Sequence, residues 1–198
     1  LERLSYNALP AAISPDMWSH QYVQMSNQVA AFPMAKQPFR TNNAFAHTFG
    51  LEPHFGCCTS NFGQGWPKFT LTSFMRTKDG FAACSIAPAE LKTEISGVSV
   101  TCEAETGYPF RDRVTYKISA EKEVPFTFSI RIPSCAKKAS VNGETAEPGT
   151  FYKKEKVWGK EELVTLCLTF EPETVSRPNN MIAVWRGPLL YSVAIKEK

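Results

Sequence analysis

The chain has 198 residues, a formal charge of +3, and hydrophobic and charged shares of 43% and 21%. This is the profile of an ordinary globular protein able to bury a real core. Its Lys and Arg are scattered rather than banked, which excludes a nucleic-acid surface; no apolar run reaches the roughly 18 residues of a membrane helix.

Leu1 opens no secretory signal, and LERLSYNAL reads as a helix already under way, so a piece of a longer protein is expected. Leu1, Leu4, Ala8, Leu9 and Ala12 recur near helical spacing up to Ser14, with Pro10 as a kink or stop. SPDMWSHQY then gathers Met17, Trp18, His20 and Tyr22. These amphipathic rings suit a pocket wall, or equally the cap of a core. From Gln24 to Gly56 the sequence is polar and irregular, rich in Asn, Gln and His. A loop of that length inside a domain usually builds a site, and its amide and imidazole groups suit hydroxyl-rich ligands such as sugars.

Gly63 to Thr77 reads as a helix with Trp66, Phe69, Thr70, Ser73 and Phe74 near one face and Pro67 in its first turn. From Phe81 the period changes to two. Strands are predicted over 81–87, 98–105, 114–119, 126–133, 139–141, 163–169 and 181–193. They are separated by Ser96-Gly97, Asn142-Gly143, Pro148-Gly149 and Pro178-Asn179. Six or more short strands punctuated in this way point to an antiparallel β-sandwich. Trp158 and Trp185 lie in alternating stretches that favour core burial over a sugar platform.

Of the six cysteines, Cys84, Cys102, Cys135 and Cys167 fall one to each apolar or alternating stretch. That pattern is expected of free thiols acting as small hydrophobes. The adjacent pair Cys57-Cys58 stands apart, because sequence neighbours bridge each other only through a strained ring. Taken by itself, GCC at the mouth of a helix has three readings: small apolar packing, a zinc site, or an activated nucleophile. Glu52, His47 and His54 are the nearby donors, and none has CxxC or HxxxH spacing.

The blocks LERLSYNALPAAISPDMWSHQY, FGCCTSNFGQGWPKF, GFAACSIAP, YPFRDRV, FSIRIPSCAKKASVNGE and MIAVWRGPLLYS run in order along nearly the whole chain. Together they closely resemble the β-L-arabinofuranosidase group of glycoside hydrolase family 127. The resemblance implies an α+β chain made of the last segment of an (α/α)6 catalytic barrel, residues 1–78, and a β-sandwich, residues 79–198. It also implies part of a retaining glycosidase that cleaves β-L-arabinofuranosyl or related plant-wall linkages in a glycoside or oligosaccharide. Cys57 would be its nucleophile. Cys57 and Cys58 would be zinc ligands, alongside a glutamate and a cysteine from an upstream Glu-x-Cys motif that this chain lacks. Glu2, Tyr22 and His54 would line the substrate pocket, although His54 stands one position earlier than the family's histidine, with Phe55 in its place.

Because the acid/base glutamate would also lie upstream, the chain alone is expected to be inactive. The alternative is a non-catalytic carbohydrate-binding or scaffolding sandwich. Free thiols favour a cytoplasmic compartment, with periplasmic or secreted locations left open. Neither nucleic acid nor membrane is expected as a partner, and homodimerisation is left open.

Overall fold

Alternation of apolar and polar side chains produces most of the regular structure. The computed structural model describes residues 1–33, 35–36, 45–50 and 56–195. In chain order the helices are α1 (Glu2–Ala11), α2 (Gly56–Phe62) and α3 (Gly65–Thr70). The strands that follow are β1 (Phe74–Thr77), β2 (Gly80–Ala83), β3 (Ala89–Ile95), β4 (Val98–Thr106), β5 (Arg113–Ala120) and β6 (Val124–Arg131). They continue with β7 (Lys138–Val141), β8 (Glu144–Ala146), β9 (Phe151–Trp158), β10 (Glu162–Thr169), β11 (Pro172–Arg177), β12 (Met181–Arg186) and β13 (Leu189–Tyr191).

Contacts divide the chain into two units, residues 68–171 and residues 1–67 with 172–198. The first contains two sheets, ordered β1-β2-β6-β9 and β3-β4-β5-β10-β7-β8. Neighbours are antiparallel except β2 and β6, which pair in parallel after the chain has passed through the other sheet. Two hairpins come directly from sequence. Ser96-Gly97 and Asn142-Gly143 hold positive φ at both positions, closing β3 onto β4 and β7 onto β8 through two-residue turns.

The inner faces meet through aromatic rings. In β6, Phe126 and Phe128 are almost fully buried, as are Ile130 and the following Ile132. Phe126 stacks on Trp158 of β9 at 5.3 Å, and Phe128 meets Tyr116 of β5 edge-on at 5.3 Å. The facing sheet contributes Val100 and Cys102 from β4, Ile118 from β5 and Leu166 from β10. Each large apolar side chain so buried contributes roughly 1.5–3 kcal/mol. Trp158 is fully buried, and its indole N–H donates to the Phe126 carbonyl at 2.9 Å. That bond removes the cost of a buried unpaired donor.

Among the described residues, the other unit has less regular structure. Its sheet is ordered β11-β12-β13. Asn7 of α1 donates to the Pro188 carbonyl and accepts from the Leu190 N–H, both at 2.7 Å. Arg3 lies 4.7 Å above the Trp185 ring, a cation–π contact.

Several expected boundaries change. The helix expected over 63–77 ends at Thr70, and Phe74–Thr77 is a strand, because it pairs with β2 across the turn at Lys78-Asp79. The strand expected over 181–193 breaks at Gly187, whose φ of 58° turns β12 back onto β13. The strand expected over 81–87 stops at Ala83, while β3, β8, β9 and β11 form where no strand is expected. Residues 172–198 group by contact with 1–67 rather than with the sandwich.

Candidate functional site

The pair Cys57-Cys58 lies in the first turn of α2. Three side chains brace this short helix from within or beside it. Ser60 donates to the Gly56 carbonyl at 3.2 Å and Asn61 to the Cys57 carbonyl at 2.8 Å, each four residues back. Gln64 in turn donates to Asn61 at 3.0 Å. From the next loop, His20 Nε2 shares a hydrogen bond with Thr59 Oγ1 at 3.1 Å. The backbone of His20 is itself fixed by reciprocal bonds to Gly50 at 3.0 and 3.1 Å. His20 thus ties the helix to the bridge formed by Ile13, His20 and Gly50.

No local pattern in SPDMWSHQY singles His20 out from its aromatic neighbours for this contact. The cluster expected there is not assembled: Met17 and Trp18 are 73% and 77% exposed, and only the backbone around them is pinned, by Ser14 and Asp16. The Trp18 ring stands in solvent instead of capping a core among the described residues.

Cys57 is exposed and Cys58 half-buried, and their sulfurs stand 3.8 Å apart. All six cysteines are free. Desolvation, then the hydrogen bond to Cys57 and its charge, push the Cys58 thiol above its ordinary value. Two sulfurs held at about 2.3 Å by a tetrahedral metal lie about 3.8 Å from each other, so the pair fits one edge of such a site. Among the described residues no three His, Cys, Asp or Glu side chains gather to complete it.

The remaining expected site residues are placed as follows. Glu2 is buried in the first turn of α1; Tyr6, four residues on, has its phenol pushed up by desolvation and then by the Glu2 charge. Tyr22 is half-buried, and its N–H donates to the Ala46 carbonyl at 3.1 Å. His47 is buried with Nε2 bonded to the Phe32 carbonyl at 2.9 Å, a structural arrangement. His54, with Glu52, lies outside the described residues.

Residues 85–170 match the family model described as Beta-L-arabinofuranosidase, GH127 middle domain. That stretch is similar to the GH127 middle domain. That match falls within the sandwich and leaves the cysteine pair outside it. Three solved structures extend the likeness to 96% of the chain. One is titled glycoside hydrolase, with a TM-score of 0.74 and 20% identity. Another is a GH127 beta-L-arabinofuranosidase from Geobacillus stearothermophilus T6, at 0.64 and 22%. The third is a GH127 beta-arabinofuranosidase, at 0.67 and 21%. The chain spans 32%, 31% and 32% of their respective lengths. At such identities the likeness speaks for the fold. No curated protein matches.

Proposed function

We propose that the chain supplies the nucleophile-bearing part of a retaining glycoside hydrolase acting on β-L-arabinofuranosyl or related plant-wall linkages, with Cys57 as nucleophile. The observation that carries this reading is an exposed Cys57 thiol 3.8 Å from the half-buried Cys58 thiol in the first turn of a braced helix. The family match in the adjoining sequence supports it. Residues 1–78 are read as the last segment of the (α/α)6 barrel, and Glu2, Tyr22 and His54 as substrate contacts within it.

Cys57 and Cys58 would hold zinc together with donors from an upstream Glu-x-Cys motif. Bound zinc would keep thiols deprotonated that are otherwise mostly protonated near neutral pH. The Cys57 sulfur then attacks the anomeric carbon while an acid from outside the described residues protonates the departing oxygen. A sulfur–carbon bond forms as the glycosidic bond breaks. Water later displaces the sulfur, assisted by the same acid acting as base, and two inversions give net retention. Thr59 and His20 would keep α2 in place.

In the intact protein, Cys57→Ser should lower hydrolysis of an aryl β-L-arabinofuranoside by on the order of 10³-fold or more. Wild-type turnover in that variant would sink the assignment.

A further inference from the structure

Cys57 and Cys58 present two sulfur donors 3.8 Å apart, and among the described residues no third His, Cys, Asp or Glu side chain joins them. A structural zinc ion takes four ligands, so among these residues the pair is a two-donor site. We propose that Cys57 and Cys58 together capture trivalent arsenicals of the type R–As=O, which need two thiols and no further protein ligand.

The sulfur separation selects this class of ligand. A direct disulfide would bring the sulfurs to about 2.05 Å and close a strained ring between sequence neighbours. A linear two-coordinate ion with bonds of about 2.3 Å would instead spread them to about 4.6 Å. A pyramidal centre with bonds of about that length and angles of roughly 100–110° takes sulfurs about 3.5–3.8 Å apart. The pair already stands at the upper end of that interval. Trivalent arsenic is pyramidal, with its lone pair at one corner, and it is a soft centre that prefers thiol sulfur to oxygen or nitrogen.

Access and bracing favour capture at this pair. Cys57 is exposed and Cys58 half-buried. Ser60 donates to the Gly56 carbonyl and Asn61 to the Cys57 carbonyl, so the turn that carries both sulfurs is held by its own helix. A preformed pair loses little freedom on closing around one atom. Cys102, by contrast, is fully buried, and Cys84 turns its sulfur to the Ala82 carbonyl at 3.8 Å.

The reaction is a condensation. Each sulfur forms one bond to arsenic, both S–H bonds break, and the As=O oxygen leaves as water with the two protons. Arsenic stays trivalent and neither sulfur is oxidised, so no oxidant or reductant enters. The ring that closes has one atom more than the ring of a disulfide between neighbours, which relieves its strain. On the reading of Cys57 as nucleophile the adduct occupies the attacking sulfur and stops hydrolysis; that consequence rests on the proposed function, whereas the capture does not.

The test is intact-mass analysis of the 198-residue chain after treatment with phenylarsine oxide in chelator-treated buffer. The expected product carries one arsenical per chain with loss of one water. It should persist in excess glutathione, a monothiol, and be removed by dimercaptopropanol, a dithiol. Proteolysis should place the arsenical on the peptide that holds Cys57 and Cys58, a readout that does not depend on any variant folding. Cys57→Ser and Cys58→Ser should each weaken retention by about 100-fold or more, because the second sulfur–arsenic bond then loses its intramolecular advantage. Cys84→Ser and Cys102→Ser should leave retention unchanged. Removal of the arsenical by glutathione, its attachment to another peptide, or full retention in either single variant of the pair would overturn the proposal. Mass is read without substrate, so failure of the capture and failure of the nucleophile assignment are distinguished.

Discussion

Residues 68–171 and residues 1–67 with 172–198 use apolar side chains differently. In the sandwich, Phe126, Phe128, Ile130 and Trp158 are buried to 4% exposure or less. In the other unit Leu1, Leu4, Met17 and Trp18 stand 66–77% exposed, and among the described residues short helices, isolated bridges and a small three-stranded sheet make up its regular structure. The lesson is that the stability of the sandwich comes from its own facing sheets, while the unit carrying Cys57 is organised by backbone hydrogen bonds and a few side-chain ties such as Asn7 and His20.

The widest test of that contrast compares two tryptophans. Trp158→Ala should destabilise the sandwich by about 3–5 kcal/mol, because it empties a fully packed volume and removes the indole bond to the Phe126 carbonyl. Trp18→Ala should change stability by less than about 0.5 kcal/mol, since its ring is already in solvent. Urea unfolding of the two variants gives both values, and equal losses would break the comparison.

A smaller effect is expected at Gly80. A Cβ there would stand 2.2 Å from the Thr127 carbonyl oxygen, where β2 runs alongside β6. Backbone cannot move aside as a flexible side chain can. Gly80→Ala should therefore cost about 1–3 kcal/mol, seen as a lower melting temperature. An unchanged melting temperature would mean that the two strands pack less tightly than their register implies.

A further effect is a pH dependence set by Cys102. Burial pushes its thiol up from 9.0 to about 12 in the folded chain. The unfolded thiol titrates at its ordinary value, so the folded state keeps this contribution below about pH 9 and loses it progressively as pH rises toward 12. Urea midpoints measured across that interval should fall more steeply for the wild type than for Cys102→Ala. Parallel curves would contradict the burial of this thiol.

Much of the sandwich was legible in advance because alternation is a local property. β4, β5 and β10 lie within a residue or two of their expected ranges, and Ser96-Gly97 and Asn142-Gly143 mark their turns through residues that tolerate positive φ. The strands that escaped have weaker local signals. FYKKEKVW in β9 buries only Trp158, so its outward face reads as a charged loop until β6 supplies the partner. Phe74–Thr77 continues a helical pattern in sequence and becomes a strand through pairing with β2. At the candidate site, adjacency alone singles out Cys57 and Cys58. The link from His20 to Thr59 spans 39 positions and has no periodic signature.

The sequence by itself determined the change to period-two alternation, the unusual cysteine pair, and the resemblance to GH127, since each is written in neighbouring residues or short blocks. Only the tertiary structure decided which strands pair and that 172–198 groups with the N-terminal unit. Those features depend on side chains and backbone groups brought together from distant positions. Hydrogen bonding and burial choose among such pairings after local periodicity has already been satisfied.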